Sequence, residues 1–398
     1  MKYPIGVQSF EKIIEDGFFY VDKTDLVYDL AQMSVCFLSR PRRFGKSLLV
    51  STLEAYFLGR KELFKGLKIE EREKDWLKYP VFKIDFVAGN FNIEGNLQRI
   101  LEGKVADWEC IYGKSPNQQD IGERFQYVLH QAHLQTGRKA VVLVDEYDKP
   151  LLDVLGDPLE QQNRNVLKAF YSTFKAADAD LKFVLLTGVT KFSQITVFSG
   201  FNQPDDISMD PYYDALCGIT EEELYKCFDE GIRLMAEDEE VSVEEMKAIL
   251  KKRYDGYHFS KGMRDIYNPF SIINALSKKT LSDYWYRSGT PTYLAKLIEG
   301  HKINMLRLLG QEWADDYFVN YKADVEDPLA MLYQAGYLTI KGYNKKDHTY
   351  LLDYPNDEVR RGFTTLVSNG YFIKKECDLD PSISSETRTV QEWEEVCA

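Results

Sequence analysis

Apolar residues along this chain change their spacing part-way through. Before about Thr190, short continuous apolar runs alternate with stretches whose apolar residues recur at helical spacing. Residues 35–38, 80–86, 140–144 and 182–186 read as strands, and the unbroken run 140–144 as one buried on both faces. Between them, residues 46–58, 93–112, 121–136 and 159–177 predict helices. Parallel strands need crossovers, and helices supply them by packing on the sheet. The alternation therefore predicts an α/β fold with a parallel sheet flanked by helices.

After Thr190 a segment rich in turn residues would wrap the sheet edge before the helices resume. Thr220 with Glu223 reads as a capping box opening a helix over 221–236. Ser242 with Glu245 opens another over 243–254. Together they predict a helical lid over 216–290. The last third reads as helical, with a late strand pair at 336–341 and 349–353 around the polar loop GYNKKDH. Helices followed by a two-strand wing are similar to a winged-helix module, assigned here to 291–370. That module lacks the strongly basic recognition helix that DNA reading needs. Residues 1–215 form the sheet domain. The acidic tail 371–398, with Arg388 set against many carboxylates, is expected to be disordered.

The first strand leads into SRPRRFGKSLL, Ser39 to Leu49. Strand, basic turn, Gly45-Lys46-Ser47 and helix form the layout of a phosphate-binding P-loop. Backbone N–H groups from Arg43, Phe44, Gly45, Lys46, Ser47 and Leu48 would cradle the phosphates. Lys46 would reach the β and γ oxygens, and the Ser47 hydroxyl would ligate Mg²⁺. The common glycine five residues before Gly45 is replaced by Arg40. Polyphosphate is the natural partner for the guanidiniums of Arg40, Arg42 and Arg43, with at least one expected to pair elsewhere.

A P-loop also needs a carboxylate from another strand. The buried run 140–144 ends at Asp145-Glu146, and open α/β sheets bind ligands at that carboxyl edge. Asp145 becomes the metal partner and Glu146 the base that orients water. The run 182–186 ends in Thr187-Gly188-Val189-Thr190-Lys191. Thr187 or Thr190 by hydrogen bond, or Lys191 by charge, would sense the γ-phosphate, and Thr190 is taken as the catalytic candidate. Asp85 reads first as a turn residue and His258 as a packed, hydrogen-bonded imidazole. Arg253 and Arg164 read first as salt-bridge residues, with γ-phosphate sensor and arginine finger as the alternatives.

With these elements in order, the chain resembles the AAA-ATPase-like family of gut bacteria and other anaerobes. The likeness rests on PIGVQSFEKIIEDGFFYVDKT near the start, RPRRFGKS, VLVDEYDKPLL, LLTGVTKFSQ, RYDGYHFS, YNPFSI, YWYRSGTPTYL, LYQAGYLTI and YLLDYPNDEVRRGF. In that family the loop is RPRRFGKS, so Arg40 is no lesion. The resemblance implies a P-loop NTPase fold, ATP and Mg²⁺ as cofactors, and Tyr20, Asp22 and Lys23 near the base or ribose. Relatives commonly carry a further nuclease-like domain with a PD-(D/E)xK motif. The stretch after Phe363 is too short for one, so nuclease activity is not expected.

A formal net charge of −13 argues against a broadly nucleic-acid-coated surface. Nucleic acid and a homo-oligomer stay open as partners beside the nucleotide. No apolar run approaches the roughly 18 residues of a membrane span. The start lacks a secretory pattern, and 6 cysteines lie scattered without metal-ligand spacing. A cytoplasmic location follows as the expectation. The reading is an ATP-hydrolysing enzyme that moves its C-terminal modules. Its rival is a non-catalytic nucleotide switch, linked to DNA processing or defence, whose output domain is missing.

Overall fold

The computed structural model describes residues 2–117, 120–191, 204–289, 294, 309–314 and 329–365. The tail expected from 371 onward lies outside them. Two short helices come first, α1 (Phe10–Glu15), capped by Ser9, and α2 (Thr24–Leu30). Strand β1 (Val35–Ser39) then feeds α3 (Lys46–Phe57), and the short α4 (Ile69–Arg72) precedes β2 (Val81–Asp85). Next come α5 (Asn96–Tyr112), α6 (Ile121–Thr136), β3 (Ala140–Asp145), α7 (Lys149–Leu152), α8 (Pro158–Ala176) and β4 (Leu181–Gly188). A two-residue strand, β5 (Asp205–Asp206), completes the 5-stranded sheet.

All pairings in that sheet are parallel, in the order β2-β3-β4-β1-β5. Every residue of β3 is buried, as its unbroken apolar run requires. The order puts β4 between β1 and β3. Register aligns Ser39 with Gly188 and Asp85 with Asp145, so the strand ends that carry the motifs finish at one edge. Helices cover both faces, α1 and α3 on one side and the layer α5, α6, α8 on the other. Phe57 of α3 packs on Phe183 of β4 at 5.2 Å, and Phe125 of α6 stacks on Phe170 of α8 at 5.0 Å. This is the P-loop NTPase α/β fold. The strands and long helices agree with the sequence reading to within a few residues at their ends.

A helical unit follows, built from β6 (Ile219–Thr220), α9 (Glu221–Cys227), α10 (Asp229–Asp238), α11 (Val243–Tyr254), β7 (Ile266–Tyr267) and α12 (Pro269–Lys278). It has its own core of Leu224, Phe228, Ile232, Met246 and Leu250. The capping box forms: Thr220 Oγ accepts from Glu223 N at 3.2 Å, and Glu223 Oε2 accepts from Thr220 N at 2.9 Å. The single helix expected over 221–236 is two. Phe228 leaves helical geometry at φ −123° because its ring is buried against Tyr3 and Phe19.

The remaining elements are α13 (Tyr284–Arg287), β8 (Gln311–Ala314), a helix at Leu329–Gln334, β9 (Thr339–Asn344) and β10 (Thr349–Asp353). The expected strand pair is present, and β8 adds a third strand beside β10. Trp285, Leu332, Tyr337 and Ile340 belong to the same core cluster as the parallel sheet. Residues 315–328, inside the expected winged module, lie outside the described residues.

Candidate functional site

The loop between β1 and α3 bends through two left-handed residues, Arg43 at φ 68° and Gly45 at φ 99°. Glycine tolerates that geometry freely, whereas an arginine adopts it only under surrounding constraint. Gly45 is the N-cap of α3 and offers no side chain, so the helix dipole and first-turn N–H groups face outward uncapped. A Cβ built on Gly45 would meet no atom within 4 Å, which leaves open space over the loop. Lys46 is the first residue of α3 and only 3% exposed. Its ammonium donates to the carbonyls of Arg40 at 3.1 Å and Pro41 at 3.3 Å, and lies 3.6 Å from Glu146 Oε1. Ser47, Phe44 and Leu48 sit on the same turn.

The acids arrive from the end of β3. Asp145 is buried, and its Oδ1 accepts from Thr187 Oγ at 2.7 Å and from the Glu146 amide at 3.1 Å. Glu146 stands at φ 54°, a strained turn of the kind that re-aims a functional side chain. That turn directs its carboxylate at Lys46. Loop and acids therefore meet as the spacing of the motifs predicts.

Asp148 belongs to the same turn, and the sequence reading passed over it. It is 0% exposed, and its Oδ2 accepts from Val189 N (2.9 Å), Thr190 N (2.6 Å) and Thr190 Oγ (2.8 Å). Its Oδ1 has no partner. Burial, reinforced by the charge of Glu146, pushes its pKa up to about 7 against the Thr190 hydrogen bonds and Lys46. The signal available in the sequence was the repeated acid in DEYD. Thr190, expected to sense the γ-phosphate, donates its hydroxyl to Asp148, and Thr187 donates its hydroxyl to Asp145. Lys191 pairs with Asp206 at 2.5 Å.

The arginines divide. Arg40, expected at the phosphates, is turned the other way and is 1% exposed. Its guanidinium donates to the carbonyls of Ser39 (2.9 Å), Ser208 (2.7 Å) and Tyr213 (3.2 Å) and lies 4.2 Å over the Phe259 ring. It braces the loop from behind. Arg42 donates to the Trp285 carbonyl at 3.3 Å, and Trp285 Nε1 donates back to the Arg42 carbonyl at 3.0 Å. Arg43 is exposed, with its guanidinium 5.0 Å from the Phe270 ring centre.

Asp22, expected near the base, is occupied in holding chain. It accepts from Thr24 N and Oγ (2.9 and 2.6 Å) and from Lys68 N (2.8 Å). Lys23 pairs with Glu223 of α9, and burial lowers its pKa despite that partner. Asp85 accepts from Val87 N at 2.8 Å in a turn. Arg164 pairs with Glu160, and Arg253 with Asp283 at 2.8 Å. His258 is packed, bonded to Ile340 O (2.6 Å) and Asp265 (2.7 Å).

Comparison with known proteins fixes the lineage. A family model described as "Predicted AAA-ATPase" matches residues 4–198. An uncharacterized protein encoded in the vnfD 5' region of Azotobacter chroococcum mcd 1 is 38% identical over 370 residues, 90% of this chain and 68% of that one. The chain belongs to the AAA-ATPase-like family. Among solved structures, the Aeropyrum pernix ORC1 protein in complex with DNA matches at 12% identity. That match covers 92% of this chain and 98% of that one with a TM-score of 0.29, too low to equate the two structures.

The residues of this AAA-ATPase-like chain fit a nucleotide with its metal. The uncapped N-terminus of α3 and the open space over Gly45 suit a phosphate group, and the buried Asp145 carboxylate at the same sheet edge suits its metal. Beside the loop lies an apolar cavity of about 100 Å³. Tyr20 and Lys23 line it from the N-terminal segment, Gly45 and Leu48 from the loop, and Cys217 and Phe228 from the next unit. Among the described residues no helix is long and apolar enough to cross a membrane.

Proposed function

We propose that this chain binds ATP with Mg²⁺, hydrolyses it, and passes the change to its C-terminal elements. The observation that carries the reading is the 3.6 Å approach of Lys46 Nζ to Glu146 Oε1 at the mouth of an uncapped helix. Lys46 would exchange its carbonyl and carboxylate partners for phosphoryl oxygens, which are stronger charge-assisted acceptors. That exchange would release Glu146 Oε1 to orient a water and accept its proton. Ser47 and Asp145 would hold Mg²⁺, which neutralises charge building on the phosphoryl oxygens. Thr187 would keep Asp145 aimed, and Asp148 with Thr190 would fix the end of β4. The cavity beside Gly45 suits the flat apolar faces of a base, with Tyr20 and Lys23 as its N-terminal wall.

Lys46→Ala is expected to abolish nucleotide binding, while Glu146→Gln is expected to keep binding and stop turnover. Phosphate release unchanged in both variants would refute the reading. ATP binding with negligible turnover in the unaltered chain would favour a nucleotide switch. The contacts between loop and C-terminal elements serve either reading, because a switch also has to transmit its state.

A further inference from the structure

Away from the nucleotide loop, three carboxylates converge where the helical unit meets the segment that follows it. Glu221 opens α9, Asp255 ends α11, and Asp265 precedes β7. Each offers an oxygen, and these oxygens all lie within 4.8 Å of one another. Two oxygens on opposite sides of a calcium ion at 2.3–2.6 Å are about 4.6–5.2 Å apart, so one such ion can reach this set. Magnesium, at about 2.0–2.1 Å, needs a tighter cage.

The carboxylate of Asp255 supplies an independent sign of a missing partner. It is 1% exposed, and neither of its oxygens makes a well-formed hydrogen bond; the adjacent Gly256 amide is near enough to favour the charged form but does not offset burial. A fully buried acid with both oxygens so poorly satisfied calls for an ion or an ordered group. The neighbouring cations do not satisfy it. Lys251 pairs with Glu221 and, at 3.2 Å, with Asp265. His258 takes Asp265 Oδ1 at 2.7 Å. Lys341 donates to the carbonyls of Gly256 and Pro355 at 3.2 and 3.0 Å. A solvent-open cleft lined by Lys251, Asp255, Asp265 and Lys341 gives an entry path, and the half-exposed Lys251 has room to swing into it.

We propose that Glu221, Asp255 and Asp265 form a divalent-cation site of calcium size that clamps α9, the end of α11 and the segment before β7. Lys251 holds two of the ligands in the metal-free chain and competes with the ion. The clamp would fix the segment carrying Tyr257 and Phe259, whose rings pack on Phe44 of the nucleotide loop at 4.8 and 5.4 Å.

Calorimetric titration of the full chain, chelator-stripped and without nucleotide, tests this. One saturable calcium site is expected, at least 10-fold weaker for magnesium and retained in Asp145→Asn. Asp255→Asn and Glu221→Gln are each expected to weaken calcium at least 10-fold, and Lys251→Met to tighten it. Calcium should also raise Tm in the unaltered chain but not in Asp255→Asn. That variant keeps the side-chain shape and removes a buried charge, and circular dichroism checks that it folds. Absence of saturable binding at about 10 mM calcium, beyond the weak end of oxygen-ligand sites, overturns the proposal. So does equal affinity in Asp255→Asn, or binding lost only in Asp145→Asn. With no nucleotide present, either failure leaves the ATPase reading untouched.

Discussion

Gly188 shows how closely the end of β4 is fitted around the acids. A Cβ there would stand 2.5 Å from Asp148 Oδ1 and 2.7 Å from the Tyr147 ring. Neither can retreat, since Tyr147 donates to Thr190 O at 2.8 Å and Asp148 is tied to Val189 and Thr190. Gly188→Ala is therefore expected to cost about 1–3 kcal/mol of stability, as overpacking does, and to slow turnover by shifting Glu146. Chemical denaturation beside a phosphate-release assay checks both; unchanged values in the two would contradict this packing. At this scale type and spacing predicted which residues meet at the sheet edge. Lys46, Ser47, Asp145 and Glu146 need only a strand end and a helix start, and both were readable. Arg40 and Asp22 are tied to other groups, Ser208 and Tyr213 for one and Thr24 and Lys68 for the other, and the long-range members of these sets cannot be read from spacing. Asp148 was missed because burial, which spacing does not report, makes it unusual.

Between elements, the nucleotide loop is held by parts that come much later in the sequence. Pro41 meets Gly336, Arg42 exchanges hydrogen bonds with Trp285, and Phe44 packs on Tyr257. Trp285 N in turn donates to the buried Glu358 at 2.6 Å, which also accepts from Ser271 Oγ at 2.7 Å. A movement of the loop on binding phosphate would thus reach α12, α13 and the C-terminal elements through direct contacts. Gly336 tests that link. It stands at φ +87°, and a Cβ there would lie 2.7 Å from Pro41 Cβ. Gly336→Ala is expected to weaken ATP binding several-fold although the residue lies outside the proposed phosphate cradle. Fluorescence titration checks this, and an unchanged Kd would contradict the link. The long strands and helices were legible because periodicity persists over many residues. The strands β5 and β8 were not, since each is short and polar and exists only through its neighbour. The break at Phe228 was invisible for the same reason, because the rings that bury it come from the N-terminal segment.

For the whole molecule, buried acids among the described residues set a pH dependence, and burial raises Asp214 as well as three others. Burial raises Asp148, Asp255 and Glu358 to about 7, from ordinary values of 3.8, 3.8 and 4.5. The folded chain then holds these protons more tightly than the unfolded one. Their contribution to stability is full below about pH 4 and is lost as pH rises towards and through 7. Acids held low by arginine, Asp29 by Arg72 and Glu109 by Arg124, work in the opposite sense, but only as pH falls below their ordinary 3.8 and 4.5. Between about pH 5.5 and 8 the raised acids dominate, so Tm in chelating buffer should fall with rising pH. Asp255→Asn should flatten that fall. A Tm that climbs over this range would contradict the burial of these groups.

Lys46 and Glu146 are proposed to act as one catalytic unit, and Glu146→Gln tests this most directly. ATP affinity and phosphate release are measured on the same sample. We expect affinity within a few-fold of the unaltered chain and turnover lower by about 10²–10⁴-fold, the usual contribution of a positioned base. Phosphate release at the unaltered rate, with binding intact, would contradict the account.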